Sequence, residues 1–193
     1  TSLITKGTTP KKYTENGIAF IKTEAFDGSI INTKKLSYID DETHNKELKR
    51  SILKHKDILI TIAGATIGKC AIVQEEILPA NTNQALAIVR LSKDANISIP
   101  YLAKYFNSSL ISDEIEKLKG GAAQQNLSLG QLNNLEIPLP PLQEQQRIVA
   151  ILDEAFTAID KAKANTEQNL KNAKELFESE LQRVFSEKGE GWE

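Results

Sequence analysis

A dense run of prolines followed by a long stretch without helix breakers constrains this chain more than any other feature. Ile137-Pro138-Leu139-Pro140-Pro141-Leu142 leads into Gln143-Glu144-Gln145-Gln146-Arg147. Proline fixes φ, lacks an N–H and pushes its predecessor out of the helical region, so no helix runs through residues 138–141. Proline suits a first helical turn, and Glu144 suits the positive end of the helix dipole. Neither Gly nor Pro then occurs until Gly189. Gln143 to Ser186 is 44 residues, about 66 Å as one straight helix at 1.5 Å per residue.

The apolar residues of that stretch lie on a narrow stripe. Ile148, Leu152, Ala155, Ile159, Ala162 and Thr166 alternate steps of four and three, and the stripe resumes at Leu170, Ala173, Phe177, Leu181 and Val184. Such spacing is the seam of a coiled coil rather than the broad face of a globular helix. The consecutive four-residue steps at 162–166–170 and 173–177–181 are stutters, which relax the supercoil locally. The seam calls for a partner helix, in this chain or another, and argues against a merely solvated linker.

Residues 1–140 read as mixed α and β. Apolar, β-rich runs at 18–21, 57–63, 70–73 and 84–91 are bounded by turn residues and predict strands. Helices are expected over 43–54, 100–106 and 109–119, the last stopped by Gly120-Gly121. Strands come early and helices late, without βαβ alternation. The expected class is α+β: a β-rich globular domain with short helices, followed by one long coiled-coil α-helix. No internal repeat or low-complexity segment interrupts it.

Charge divides along the same boundary. Residues 1–140 carry 17 basic and 15 acidic side chains, net +2, whereas residues 141–193 carry 7 and 11, net −4. Within the first part, residues 1–69 hold 12 basic and 8 acidic, net +4. That bias is compatible with phosphate contact near the N-terminus, and the acidic helix argues against nucleic acid along its whole length. The single cysteine, Cys70, excludes a disulfide framework and fits a reducing, cytoplasmic setting. One Cys with two separated histidines, His44 and His55, makes no zinc site of ordinary spacing, so neither metal nor cofactor is expected. No apolar run approaches the roughly 20 residues that cross a bilayer. With no methionine in the sequence, its natural start is expected to have been trimmed or to lie upstream.

Motifs for catalysis fail one by one. Gly64-Ala65-Thr66-Ile67-Gly68-Lys69 has three residues between its glycines where a nucleotide-binding P-loop has four, and Cys70 follows where Ser or Thr would hold magnesium. It reads as a turn between strands, with small residues that let backbone amides and Lys69 approach phosphates. The one Glu-x-Lys, Glu47-Leu48-Lys49, sits in a segment of helical spacing rather than on a nuclease strand. His44 and His55 lie in a charged stretch, as surface histidines do, and no nucleophile signature accompanies them. What remains is a set of polar loops. Lys6, Thr8, Thr9, Lys11, Lys12, Lys22, Thr66 and Lys69 mix cations and hydroxyls, while Asn83, Gln84, Gln125 and Asn126 supply carboxamides. Asn and Gln can bind adenine bidentately, and Lys can contact guanine or phosphate.

Four segments in this order resemble the specificity (S) subunits of type I restriction–modification systems: residues 4–10, residues 57–69, Gly120-Gly121 with residues 124–128, and the Pro-Leu-Pro-Pro-Leu-x-Glu-Gln run of 137–149. The resemblance covers essentially the whole chain, and the last segment is its most specific element. It implies that residues 1–140 are a DNA target recognition domain and 141–188 a spacer and dimerisation helix. Residues 189–193, with Gly191-Trp192-Glu193, would begin a following repeat or tail. It further implies a non-catalytic protein that binds one half-site of a bipartite duplex target. Its helix would pair antiparallel with a second spacer helix, of another copy if the chain is half-length or of the same chain if it is a fragment. A methylation subunit, which performs adenine-N6 methylation, and an endonuclease/translocase subunit would be its partners. Two other readings stay open at this point: a coiled-coil protein-interaction module without DNA, and the recognition region of a fused restriction–methylation enzyme.

Overall fold

The computed structural model describes residues 2–118 and 126–187. The chain divides into two compact units, Thr1–Gln146 and Arg147–Glu193. The first is β-rich with short helices, and the second continues a single long helix, so the class is α+β.

The first unit is layered. Strands β1 (Leu3–Lys6), β6 (Ile58–Thr61), β7 (Cys70–Ile72) and β9 (Leu86–Arg90) form an antiparallel sheet in the order β1-β9-β6-β7. A second sheet has the order β5-β2-β8, where β2 (Ile18–Ile21) lies antiparallel to β5 (Ser37–Ile39) and parallel to β8 (Ala80–Thr82). A small hairpin pairs β3 (Phe26–Asp27) with β4 (Ile30–Ile31). Alternation along the central strands explains the layers. Ile58, Ile60, Ala87 and Val89 point to a core shared with α1 (Ile99–Phe106) and α2 (Ser109–Leu118), whereas Leu59, Leu86 and Ile88 point to a core shared with Ala19, Ile21 and Ala80 of the second sheet. Both faces of the four-stranded sheet are therefore covered, and its strands read as unbroken apolar runs rather than alternating ones. Behind the second sheet, Phe20, Ile39 and Leu48 form a third cluster.

The helix expected over 43–54 is broken, and this corrects the sequence reading. A π-helical turn spans Thr43–Glu47 and a 3-10 turn spans Lys49–Ser51. The cause is tertiary. The Asn81 amide of β8 donates to the Leu48 carbonyl (3.0 Å) and to Ser51 Oγ (3.2 Å), and the Leu53 N–H donates to the Ala80 carbonyl (2.9 Å). Those contacts pull the chain out of helix. The same cluster buries His44, whose Nδ1 hydrogen-bonds Asn81 Oδ1 at 2.5 Å, so this histidine belongs to the core and not to the surface. Asn81 is likewise fully buried.

A short helix α3 (Leu129–Asn133) opens with a Ser128/Gln131 capping box. The proline junction follows. Tyr101 Oη donates to the Pro138 carbonyl at 2.9 Å. The Pro141 carbonyl accepts the Glu144 and Gln145 N–H groups (2.8 and 3.1 Å) and so closes the first turn of α4 (Leu142–Ser186), a helix of 45 residues. Gln145 is the fully buried residue of that turn. Its Oε1 accepts the Ser98 N–H at 2.7 Å, and its Nε2 donates to the carbonyls of Asn96 (3.2 Å) and Pro140 (2.8 Å). The Gln of the proline motif thus has a physical reason: its carboxamide locks the helix start into the loop before α1. The expected stop of α2 at Gly120-Gly121 lies outside the described residues.

Candidate nucleic-acid interface

Strand register gathers most of the polar loops at one end of the first unit. Lys6 of β1 lies opposite Ala87, Thr61 of β6 opposite Leu86, and Ile60 opposite Cys70. The ends of β1 and β6 and the starts of β7 and β9 therefore share one edge of the sheet. In the second sheet Ile21 lies beside Thr82, and residues 83–85 join β8 directly to β9. Both sheets open onto the same loops.

Gly7 clamps two of those loops together. A Cβ there would collide with the backbone carbonyl oxygens of Thr82 and Asn83. The Gly7 and Thr8 N–H groups donate to the carbonyls of Leu86 and Thr82, each at 3.0 Å. Thr9 Oγ1 donates to Gln84 Oε1, and Gln84 is exposed. Asn83 Oδ1 accepts the Ala85 N–H (3.1 Å), so this side chain first serves its own turn. Asn126 pairs as an isolated bridge with Ala63, and the Leu127 N–H donates to the Ile62 carbonyl at 2.8 Å. Lys6, Gln84 and Asn126, from three separate segments, line one open cleft of about 560 Å³.

The loop of Thr66 and Lys69 is the hairpin connection between β6 and β7. Its Gly68 N–H donates to the Thr61 carbonyl (2.9 Å) and its Lys69 N–H to the Thr66 carbonyl (3.1 Å). These two amides are consumed inside the turn and do not offer themselves to phosphate. The exposed side chains of Thr66 and Lys69 remain available. Gly64 and Gly68 adopt φ of +98° and +91°, a region L side chains rarely enter, so the turn favours glycine at both positions.

Lys22 follows β2 at the same end, with its Nζ 5.0 Å from the centre of the Tyr13 ring, which packs edge-on against Phe20 at 5.5 Å. Lys11 and Lys12 are not brought to this end. They line a separate cleft with Asp40, Glu42, Lys46 and Glu47, and Lys12 Nζ pairs with Asp40 Oδ2 at 3.3 Å. The Thr43 N–H at 2.7 Å, seconded by the Thr43 hydroxyl and by Lys12, holds the Asp40 carboxyl below its usual range. Gln125 lies outside the described residues.

Two cations that the sequence reading missed belong with Lys22. Lys34 and Lys35 stand on a 3-10 turn, Thr33–Lys35, packed against the turn Thr23–Ala25. Ser37, which begins β5, lies opposite Phe20, so the turn sits at the loop end of β2. Asn32 Oδ1 accepts the Lys34 N–H (3.0 Å), and both lysines are exposed. The local signal was present in Asn32-Thr33-Lys34-Lys35, an Asx-turn sequence carrying two cations. It was lost because the flanking strands are only two and three residues long.

Among the described residues no three His, Cys, Asp or Glu side chains gather as a metal site. Burial pushes the Cys70 thiol up to about 12, and its Sγ lies 3.4 Å from the Ala103 carbonyl, which makes it a core group rather than a nucleophile. Asp57 is buried and bound bidentately by Arg90 at 2.5 and 2.6 Å, at the opposite end of the sheet from the polar loops. No helix among the described residues is long and apolar enough to cross a membrane.

The stripe along α4 is exposed in the single chain. Ile159, Leu170, Phe177, Leu181 and Val184 are 43–65% accessible, and Ala155, Ala162 and Ala173 are exposed beside them. Ile148 and Leu152 are half-buried.

Comparison with known proteins agrees with this architecture. A family described as type I restriction modification DNA specificity domain matches residues 2–172. The chain is 30% identical over 172 residues to the type I restriction enzyme EcoBI specificity subunit of Escherichia coli, covering 89% of this chain and 35% of that protein. It is 32% identical over 134 residues to the MjaIX specificity subunit of Methanocaldococcus jannaschii, covering 69% and 30%. The chain therefore spans about a third of the length of these relatives. Among solved structures, a chain of a type I R-M system superposes with a TM-score of 0.60 at 24% identity, covering 94% of this chain and 40% of that one. The HsdS subunit from Thermoanaerobacter tengcongensis superposes at 0.58 and 23%, covering 81% and 35%. These two likenesses establish a shared fold.

Proposed function

The chain belongs to the family of type I restriction–modification DNA specificity domains, and from that premise we propose that its first unit reads one half-site of a bipartite duplex target. One observation carries the proposal: segments far apart in sequence, around residues 6–9, 22, 34–35, 63–69, 83–84 and 126, converge on one end of two packed sheets. Lys6, Lys22, Lys34, Lys35 and Lys69 position the phosphate backbone. Gln84 and Asn126, beside Lys6 in the open cleft, approach base edges, with Thr8, Thr9, Asn83, Thr66 and Gln125 as further contacts. Lys11 and Lys12, next to acidic side chains, contribute less.

The chain itself supplies no chemistry in this reading. It recruits a methylation subunit for adenine-N6 transfer and an endonuclease/translocase subunit for cleavage, in the cytoplasm, where the genome lies. The long helix is a spacer that pairs antiparallel with a second such helix and sets the distance between half-sites. The family membership gives no support to a coiled-coil adaptor without a DNA role.

The test is a comparison of N6-methyladenine across the genome with and without this chain, in the presence of its methylation subunit. A bipartite motif whose methylation depends on the chain is expected. An unchanged methylome, together with absence of duplex binding by the complex at low salt, overturns the reading.

A further inference from the structure

The first unit carries a second concentration of positive charge, at the end away from the recognition loops. Residues 46–56 hold five Lys or Arg side chains against one acid, Glu47. Main-chain bonds fix this segment to the strand ends. The Lys54 N–H donates to Asp57 Oδ2 at 2.8 Å, just before β6 begins. The Lys56 N–H donates to the Val73 carbonyl at 3.0 Å, just after β7 ends, and the Leu53 N–H donates to the Ala80 carbonyl at the start of β8. The recognition loops lie at the other end of the same strands, after Thr61, before Cys70 and after Thr82. A four-residue strand such as β6 rises roughly 10 Å from its first residue to its last, so a straight duplex lying across the loops does not reach the far end.

Lys49, Arg50, Lys54 and Lys56 are exposed, and no ion pair among the described residues engages them. Lys46 is taken by Glu42 at 3.1 Å, and His55 lies 3.6 Å from Glu75. Leu48, Ser51 and Leu53 are buried between the cations, and the Asn81 amide holds the Leu48 carbonyl and the Ser51 hydroxyl. The backbone that carries the charges is therefore anchored. Lys56 adds an independent sign. Its φ is +68°, the one positive value at a non-glycine position among the described residues. Glycine enters that region freely, and a lysine there is strained. The turn closes through the Lys56 and Asp57 N–H groups, bonds that a glycine at position 56 would leave intact. What lysine adds at this place is its charge, and backbone strain of this kind collects at functional positions.

The character of the surface selects its ligand. Among the described residues no large apolar side chain is exposed between Ile30 and Leu110. A protein partner would need buried apolar or aromatic anchors, and such interfaces are depleted in lysine. Hydrated point charges on long stems suit phosphates, which need only be neutralised. Glu75 and Glu76, which share a cleft with His55 and Lys56, border the surface on one side.

We propose that Lys49, Arg50, Lys54 and Lys56 form a second, sequence-independent surface for the phosphate backbone of duplex DNA. The inference rests on the recognition reading in taking the loop end as the seat of the target. The first unit then holds two duplex segments, its target at one end and non-specific DNA at the other. That second segment is a separate duplex or a looped stretch of the same molecule, and both offer the same phosphates.

Salt titration of the full chain against a fluorescent duplex of random sequence tests the surface. A background variant with Lys6, Lys22, Lys34 and Lys35 replaced by Gln should still bind, and the further replacement of Lys49, Arg50, Lys54 and Lys56 by Gln should flatten the slope of log K against log salt by about 3.6. In the same background Lys56→Gly should flatten it by about 0.9 while Tm stays level or rises, a pairing that a merely structural lysine does not give. A second short duplex taken up in trans marks a separate molecule as the source, and a gain confined to long duplexes marks a looped one. An unchanged slope in both far-end variants overturns the proposal. So does release of the methylation subunit by the four far-end replacements with duplex binding unchanged, which would make the segment a protein contact. A methylome indifferent to the chain would sink the recognition reading alone, whereas motif methylation that persists without any far-end slope would sink this surface alone.

Discussion

Gln145 offers the sharpest test of how the proline junction holds the start of the long helix. Its carboxamide is fully buried and makes three hydrogen bonds, to the Ser98 N–H and to the Asn96 and Pro140 carbonyls. Gln145→Leu keeps the volume and removes all three. At roughly 1 kcal/mol net for each bond, the loss is about 3 kcal/mol. For a unit of this size one kcal/mol moves Tm by roughly 2–4 °C, so Tm should fall by roughly 6–12 °C. The long helix dominates far-ultraviolet dichroism and would mask the effect. All four tyrosines, at 13, 38, 101 and 105, lie in the first unit, so tyrosine near-ultraviolet dichroism during heating reports on that unit alone. Gln145→Glu adds a pH signature. Burial between two carbonyls raises the folded-state pKa of the new carboxyl above its unfolded value near 4.3. The variant is therefore least penalised below that value, where the acid is protonated and can still donate, and it loses stability as pH rises through the folded pKa. A Gln145→Leu protein melting within about 1 °C of wild type would refute the anchoring role.

The remaining predictions concern the loop end and the core. Duplex affinity of the complex with its methylation subunit should fall with salt; if Lys6, Lys22, Lys34 and Lys35 each neutralise one phosphate, their joint replacement by Gln should flatten the slope of log K against log salt by about 3.6. An unchanged slope in filter binding would remove them from the interface. Gly7→Ala should shift the turn at 82–83, because its Cβ has no room beside the two carbonyls. A cost of roughly 1–3 kcal/mol in urea melts and weakened DNA binding are expected, and a neutral substitution would show that the 6–9 segment does not need its seat. The Cys70 thiol, at about 12 and buried, should react with a thiol reagent at pH 8 only on the timescale of unfolding, and immediate modification of the native protein would contradict its burial.

The long helix and its boundary were legible without coordinates because both obey local rules. Proline excludes helix wherever it stands, and an uninterrupted stripe with steps of three and four needs no distant residue to be read. The four apolar strand runs were legible for a related reason, since burial on both faces leaves an unbroken hydrophobic sequence. The short elements were not. Strands β1, β5 and β8 mix polar with apolar side chains over three or four residues and show no apolar run, and each exists because a distant segment completes its ladder, while β4 is one half of a two-residue hairpin with β3.

The same contrast separates His44 and Asn81 from the cations. Composition marks a histidine in a charged stretch as a surface residue, but Asn81, 37 residues away in sequence, pulls it inside and breaks the helix around it. Residue types alone supplied the inventory of lysines, hydroxyls and carboxamides that could meet DNA. Only the packing of two sheets around the 83–85 turn sorted that inventory, bringing Lys6, Gln84 and Asn126 to one cleft, adding Lys34 and Lys35 beside Lys22, and setting Lys11 and Lys12 apart against Asp40. Periodicity is a property of neighbours along the chain and survives in one dimension; convergence depends on which strands pair, and that is decided only when distant apolar faces find each other.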